Sequence, residues 1–131
     1  MKLENKVSII TGGGRGIGRG IAKAYANEGA NLLLVSRTLS QVEEVANDIR
    51  ERGGKAVALK VDITNPGDVN RMLDETLSRY GKIDILINNA AVINPVGPFW
   101  SNDMKLWADT ININVTGLAL CCRAVLPSMV K

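Results

Sequence analysis

With 131 residues, 46% of them hydrophobic and 22% charged, the chain is long enough to bury one real core, too short for two, and unlike a disordered chain in composition. The net charge of +3 comes from lysines and arginines scattered among acidic residues, with no basic run and no interleaved aromatics, which argues against nucleic acid and for a small anionic partner. Histidine is absent, which removes Ser-His-Asp and Cys-His nucleophiles and most zinc sites, so no metal site is expected.

Residues 1–131 read as one domain. Met1–Lys6 is polar, and only Val7-Ser8-Ile9-Ile10 follows before glycine-rich sequence, too short an apolar run for a signal peptide. That run predicts a first strand. Thr11-Gly12-Gly13-Gly14-Arg15-Gly16-Ile17-Gly18 comes next, leading into a helix from about Arg15 to Asn27 with Ile17, Ile21, Ala24 and Tyr25 on its inner stripe and Gly29 at its end. The second strand, Asn31–Val35, is almost continuously apolar, which suits a strand covered on both faces of a parallel sheet. A second helix spans about Ser40 to Arg50, with Val42, Val45, Ala46 and Ile49 inward, and stops at Gly53-Gly54.

Ala56–Val61 predicts a third strand, and the helix after it spans about Pro66 to Tyr80 with Val69, Met72, Leu73 and Leu77 inward. Asn65 is its expected cap, Pro66 its first residue and Gly81 its stop. Ile83–Ile87 is the fourth strand, followed by the loop Asn94-Pro95-Val96-Gly97-Pro98 and a long helix from about Met104, loosened at its tail by Pro127. Arg123 and Pro127 interrupt the apolar run Gly117–Val130, so it is not expected to span a membrane, and a cytoplasmic protein is expected. The adjacent Cys121 and Cys122 match no metal spacing and would be strained as a disulfide; they read as small buried residues. Trp100 and Trp107 read as packing residues, and Thr116-Gly117 as a small-residue helix contact. The alternation predicts an α/β fold: a doubly wound parallel sheet of the Rossmann type.

Chemistry is expected where the strands end. Glycines at Gly12, Gly14, Gly16 and Gly18, with Arg15 and Ile17 between them, let backbone N–H groups approach a pyrophosphate at a helix start. The strict G-x-G-x-x-G spacing is absent; Gly12, Gly16 and Gly18 fit G-x-x-x-G-x-G instead. About twenty residues on, a dinucleotide fold places the group that reads the adenosine ribose, and a carboxylate there accepts from the 2′-hydroxyl. Here the second strand ends in Ser36-Arg37-Thr38. With no carboxylate to repel it and Arg37 and Arg15 nearby, a 2′-phosphate is the better fit, so NADP(H) is expected over NAD(H); the lesser alternative is that both arginines are solvated surface residues. Asp62, followed by Ile63 at the end of the third strand, is placed to accept from an adenine amino group or to cap a turn. Asn88 and Asn89, followed by Ala90 and Ala91, close the fourth strand and either tie loops to the sheet, line the crevice, or both.

Taken together these segments resemble the short-chain dehydrogenase/reductase family. Thr11–Gly18 is similar to its Thr-Gly-x-x-x-Gly-Ile-Gly turn, Asp62 to its cofactor-contacting aspartate, and Asn88–Ala91 to its Asn-Asn-Ala-Gly motif. Trp107–Gly117 is similar to its Trp-x₄-Ile-x-Val-Asn-x-Thr-Gly helix, which makes Asn114 the match to the proton-relay asparagine; the other reading of Asn114 is a polar residue bonded to its own helix or a neighbour. Ala91 departs from the family's glycine.

The resemblance implies contacts to a nicotinamide dinucleotide from the glycine turn and from Asp62, Ile63, Asn89, Ala90 and Ala91. It also implies hydride transfer between that cofactor and a small carbonyl or alcohol, using a serine and a Tyr-x-x-x-Lys pair. No such pair occurs here: Tyr25 is followed four residues on by Gly29, and Tyr80 by Asp84. The expectation is an N-terminal half, truncated after about four βα units and inactive alone, with a substrate only if completed. Three readings stay open: a piece of a longer enzyme, a non-catalytic dinucleotide-binding module, or a half-enzyme completed by another polypeptide. The implied strand order 3-2-1-4 leaves the fourth strand at an edge, and with the apolar last helix this predicts a homo-oligomer.

Overall fold

The computed structural model describes residues 1–131. The elements run β1 (Val7–Thr11), α1 (Gly16–Asn27), β2 (Asn31–Ser36), α2 (Leu39–Glu51), β3 (Lys55–Lys60), α3 (Pro66–Tyr80) and β4 (Ile85–Ile87), then α4 (Met104–Ile111), a π-helical stretch (Asn112–Gly117) and α5 (Leu118–Met129). All strand pairs are parallel, and the sheet order is β3-β2-β1-β4. This is the expected α/β architecture with helices on both faces.

The strict two-residue alternation of strands divides the core in two. Ile9, Leu33 and Val35 face α3 and α5, packing with Val69, Met72, Cys121 and Val125. Ile10, Leu32 and Leu34 face the other way, onto Ala22 of α1 and Val42, Val45, Ala46 and Ile49 of α2. Each fully buried leucine contributes about 1.5–3 kcal/mol relative to an exposed one, so both layers are anchored on β1 and β2. Local signals hold at α3: Asn65 Oδ1 accepts from the Asp68 N–H at 3.0 Å, and Gly81, with φ at 78°, ends the helix in the left-handed region that disfavours a side chain.

Several expectations are corrected. β4 begins at Ile85, because the residue before it diverts its side chain to the backbone: the Asp84 carboxylate accepts from the Val7 N–H at 2.9 Å. On α1, Ile17 is 76% exposed and Ala24 is exposed too; Gly18 and Ala22 are the buried residues, and their small size brings the helix close to the sheet. Pro127 lies inside the last turn without stopping it, since the carbonyl it leaves unpaired belongs to the exposed Arg123. Trp100 and Trp107 are exposed rather than packed.

The helical path from Met104 to Met129 is continuous for 26 residues, and by length and composition it is apolar enough to cross a membrane. The interruptions at Arg123 and Pro127 therefore do not exclude a span. Within the fold this helix presses Gly117, Cys121 and Val125 into the interior. Both cysteines are free; Cys121 is buried, whereas Cys122 is half-buried, with its Sγ 3.4 Å from the donating Asn88 Nδ2. Burial pushes the Cys121 thiol up to about 11.

Candidate functional site

The glycine turn after β1 is held by the end of β4. Thr11 Oγ1 accepts from the N–H groups of Asn89 and Ala90, at 3.1 and 3.0 Å, and donates to the Ile87 carbonyl at 3.3 Å. Asn89 Nδ2 donates to the Gly12 carbonyl at 3.0 Å. Gly12 and Gly16 adopt φ of 65° and 56°, which side chains rarely tolerate. A Cβ on Gly12 would lie 2.9 Å from Asn89 Nδ2, and one on Gly18 would meet the Gly12 carbonyl and come within 2.5 Å of the same amide. Turn and strand end therefore form a single tight unit. α1 starts from it with Arg15 as N-cap, no side-chain capping bond and no acidic residue in its first turn, so its positive end is uncompensated within the chain.

An open groove of about 400 Å³ runs across the carboxyl ends of the strands, with Gly12, Gly14, Arg15, Gly16 and Ile17 on one wall. Ser36 and Arg37 from β2, Asp62 and Ile63 after β3, and Asn89, Ala90 and Ala91 after β4 complete it. Gly18 is the one predicted cradle residue that lies beneath the wall rather than on it, where its lack of a side chain admits the turn. Val35, Thr38, Gln41, Val61, Val92 and Ile113 also line the groove. Thr38 directly follows the predicted pair, and Gln41 comes to the groove with the first turn of α2. Val92 and Ile113 meet only through the tertiary fold.

At the β2 end, the Ser36 hydroxyl accepts from the Thr38 N–H at 2.8 Å. This closes a short turn with Arg37 at its apex, and Arg37 and Arg15 are exposed and form no ion pair within the chain. Asp62 serves as a turn residue: its Oδ1 accepts from the Thr64 N–H at 2.9 Å and hydroxyl at 2.7 Å. Its other oxygen takes no partner in the chain and remains available to the groove. The Thr64 hydroxyl holds the Asp62 carboxyl below its ordinary range against the opposing effect of partial burial, with the Thr64 N–H and the Arg37 charge adding to the lowering.

Asn114 is not on the groove wall. Its Oδ1 accepts from the Val92 N–H at 2.9 Å while its Nδ2 donates to the Val92 carbonyl at 2.7 Å, a two-point clamp on a lining residue. The clamp sits in the π-helical stretch. Gly117, at the end of that stretch, packs where a Cβ would lie 2.8 Å from two carbons of Ile63, so the helix is seated against another lining residue. Asn114 thus makes the bond to a neighbouring segment that its sequence left open.

This arrangement of glycine turn, strand ends and clamped loop has close counterparts. The family model described as short chain dehydrogenase matches residues 6–131. The chain belongs to the short chain dehydrogenase family. A short chain dehydrogenase of Pseudocercospora fijiensis is 35% identical, with 99% of this chain and 42% of that protein aligned. Among solved structures, an NAD⁺-bound xylitol dehydrogenase superposes with a TM-score of 0.96 at 31% identity, covering 99% of this chain and 50% of that one. A metagenomic short-chain oxidoreductase in complex with NADP gives 0.92 at 29% identity, covering 99% and 59%. The chain thus spans about half the length of the family members it matches.

Proposed function

We propose that this chain binds a nicotinamide dinucleotide in the groove and forms the cofactor half of a short-chain oxidoreductase. The observation that carries the reading is the glycine turn locked to β4 with an uncompensated helix start above it. Gly12, Gly16 and the first N–H groups of α1 suit the pyrophosphate, Gly14 and Ile17 shape its wall, and Gly18 permits the turn. The open Asp62 oxygen suits the adenine amino group, with Ile63 beside the base. Asn89, Ala90 and Ala91 border the nicotinamide end.

The finer assignment is NADP(H) over NAD(H). Arg15 and Arg37 are unpaired, Ser36 spends its hydroxyl on its own turn, and no carboxylate occupies the ribose position. One or two charge-assisted hydrogen bonds of about 1.5–3 kcal/mol each give roughly ten- to several-hundred-fold discrimination, less where salt screens the exposed site. Fluorescence titration with both nucleotides tests this. Preference for the 2′-phosphorylated form, lost in Arg37→Ala, is expected; equal affinities overturn the assignment.

When bound, the nicotinamide supplies hydride chemistry, and the parent activity is carbonyl reduction or alcohol oxidation on a small substrate. Residues 1–131 contain no Tyr-x-x-x-Lys pair to hold the proton at the substrate oxygen, a contribution worth about 10²–10⁴-fold, so turnover requires completion by further sequence or a second polypeptide. Asn114 acts as a positioning residue through Val92. The exposed side of α4 and α5 and the β4 edge are the surfaces through which a soluble homo-oligomer forms. Purified residues 1–131 assayed with NADPH and a ketone panel should show background rates only; a robust rate would refute that requirement.

A further inference from the structure

One lining residue has no part in the cradle described above. Gln41 stands in the first turn of α2, half-buried, on the same stretch of wall as Arg37 and Thr38. Its backbone N–H donates to the Thr38 carbonyl at 3.2 Å, but its side-chain amide has no hydrogen-bond partner in the chain. Its placement follows from Gly14. A Cβ on Gly14 would lie 2.6 Å from the Gln41 Cβ and 3.0 Å from both the Gln41 carbonyl carbon and the Val42 nitrogen. The missing side chain at Gly14 therefore lets α2 seat its first turn against the glycine turn, and Gln41 is the residue delivered to the groove by that contact.

We propose that Gln41 is a specificity-determining residue that donates from its amide to the 2′-phosphate, alongside Arg15 and Arg37. The proposal rests on the NADP(H) reading. Its charge type supports it. A carboxylate at this position, lining the same groove as the unpaired Arg15 and Arg37, would compete for the anion site, whereas a neutral amide adds donors without competing. The acidic residues Glu43, Glu44 and Asp48 of α2 are instead drawn off to Arg50, Arg19 and Lys23, and none lies in the first turn. Gln41 is the polar α2 side chain that both lines the groove and lacks a partner.

The test is a titration of the purified protein and its Gln41→Ala, Gln41→Glu and Arg37→Ala variants with NADP⁺, NAD⁺ and the minimal probes 2′,5′-ADP and 5′-ADP, with the melting temperature of each free variant recorded. Gln41→Ala should weaken NADP⁺ and 2′,5′-ADP about three- to tenfold, as expected for one neutral hydrogen bond, and leave NAD⁺ and 5′-ADP unchanged. Gln41→Glu should weaken the phosphorylated pair more than tenfold and raise relative affinity for NAD⁺, because its carboxylate repels the phosphate and can accept from a 2′-hydroxyl. A wild-type protein that does not discriminate removes the 2′-phosphate reading and this assignment with it. Discrimination that Arg37→Ala abolishes but both Gln41 variants retain overturns the Gln41 role alone, as does an equal loss for all four ligands.

Discussion

Residues 7–63 and residues 85–130 follow the same alternation of strand and helix, yet they are covered very differently. All five residues of β1 and four of six in β2 are buried, and α2 contributes four buried residues. In the second region every β4 residue is only half-buried and α4 buries none. The strands of the first region are covered on one face by α1 and α2 and on the other by α3 and α5, so their apolar area leaves water within the chain. The second presents Leu106, Ile111, Val115, Leu118 and Leu126 at an open face. Intrinsic stability therefore resides in the first region, and the second is where apolar area is left for association.

The widest gap between the regions is expected in core truncations. Leu33→Ala, at a fully buried site between β1 and β3, should cost about 2–5 kcal/mol in urea unfolding, since β2 cannot collapse around the cavity. Leu106→Ala, at a site 47% exposed, should change the monomer by no more than about 0.5 kcal/mol. A comparable cost at both sites that also depends on protein concentration would show that α4 is covered in solution, which the proposed oligomer requires at high concentration.

Glycines sharpen the comparison within one helix. Gly18→Ala should destabilise by about 1–3 kcal/mol, because its methyl meets the Gly12 backbone and the Asn89 amide rather than a movable side chain. Nucleotide binding should fall with it. Gly20→Ala, two residues further along α1 with nothing within 4 Å of the added carbon, should stabilise by about 0.4–1 kcal/mol. If both substitutions behave alike under denaturant titration, the tight packing between turn and β4 is not what sets the requirement at Gly18.

A smaller effect is expected where the second region touches the groove. Asn114→Ala removes two hydrogen bonds to Val92, worth about 1–2 kcal/mol together at a half-buried site. Hydrogen exchange should show faster exchange at the Val92 amide with little change in β1 and β2. Uniform acceleration across the sheet would mean that Asn114 supports the fold as a whole rather than this segment.

The same division governs what could be read in advance. Continuous apolar runs, the Asn65 cap and the inward face of α2 are local patterns, and each appears in the fold as its residues dictate. The strand ends that carry the groove were legible for the same reason, because a parallel strand places its carboxyl end by topology. Features set by a distant partner were not: the late start of β4 depends on Asp84 reaching Val7, and the exposure of Ile17 on the groove opening beside it. The π-helical stretch shares its apolar spacing with an ordinary helix and shows itself only through Asn114 and Val92. Gln41 enters the groove through the fit of α2 on Gly14, a contact that no spacing within α2 encodes.

The smallest expected effect is the pH response of Asp62, the acidic residue that lines the groove. Its carboxyl is held low in the folded protein, chiefly by the Thr64 hydroxyl and against partial burial. In the unfolded chain it titrates near about 3.9. The folded value being the lower one, the unfolded state binds the proton first, so the carboxylate contributes stability in full above its unfolded value and loses it as pH falls through the folded one. Urea midpoints measured from neutral pH down into the acid range should therefore decline less steeply in Asp62→Asn than in the parent, with the two curves converging at the acid end. The site is partly open to solvent, so added salt should reduce the contribution of Arg37 while leaving that of Thr64, a direct hydrogen bond, largely intact. Parallel acid limbs in the two proteins would show that Asp62 is not held low, and would remove the case for an ionised, half-engaged carboxylate at the end of β3.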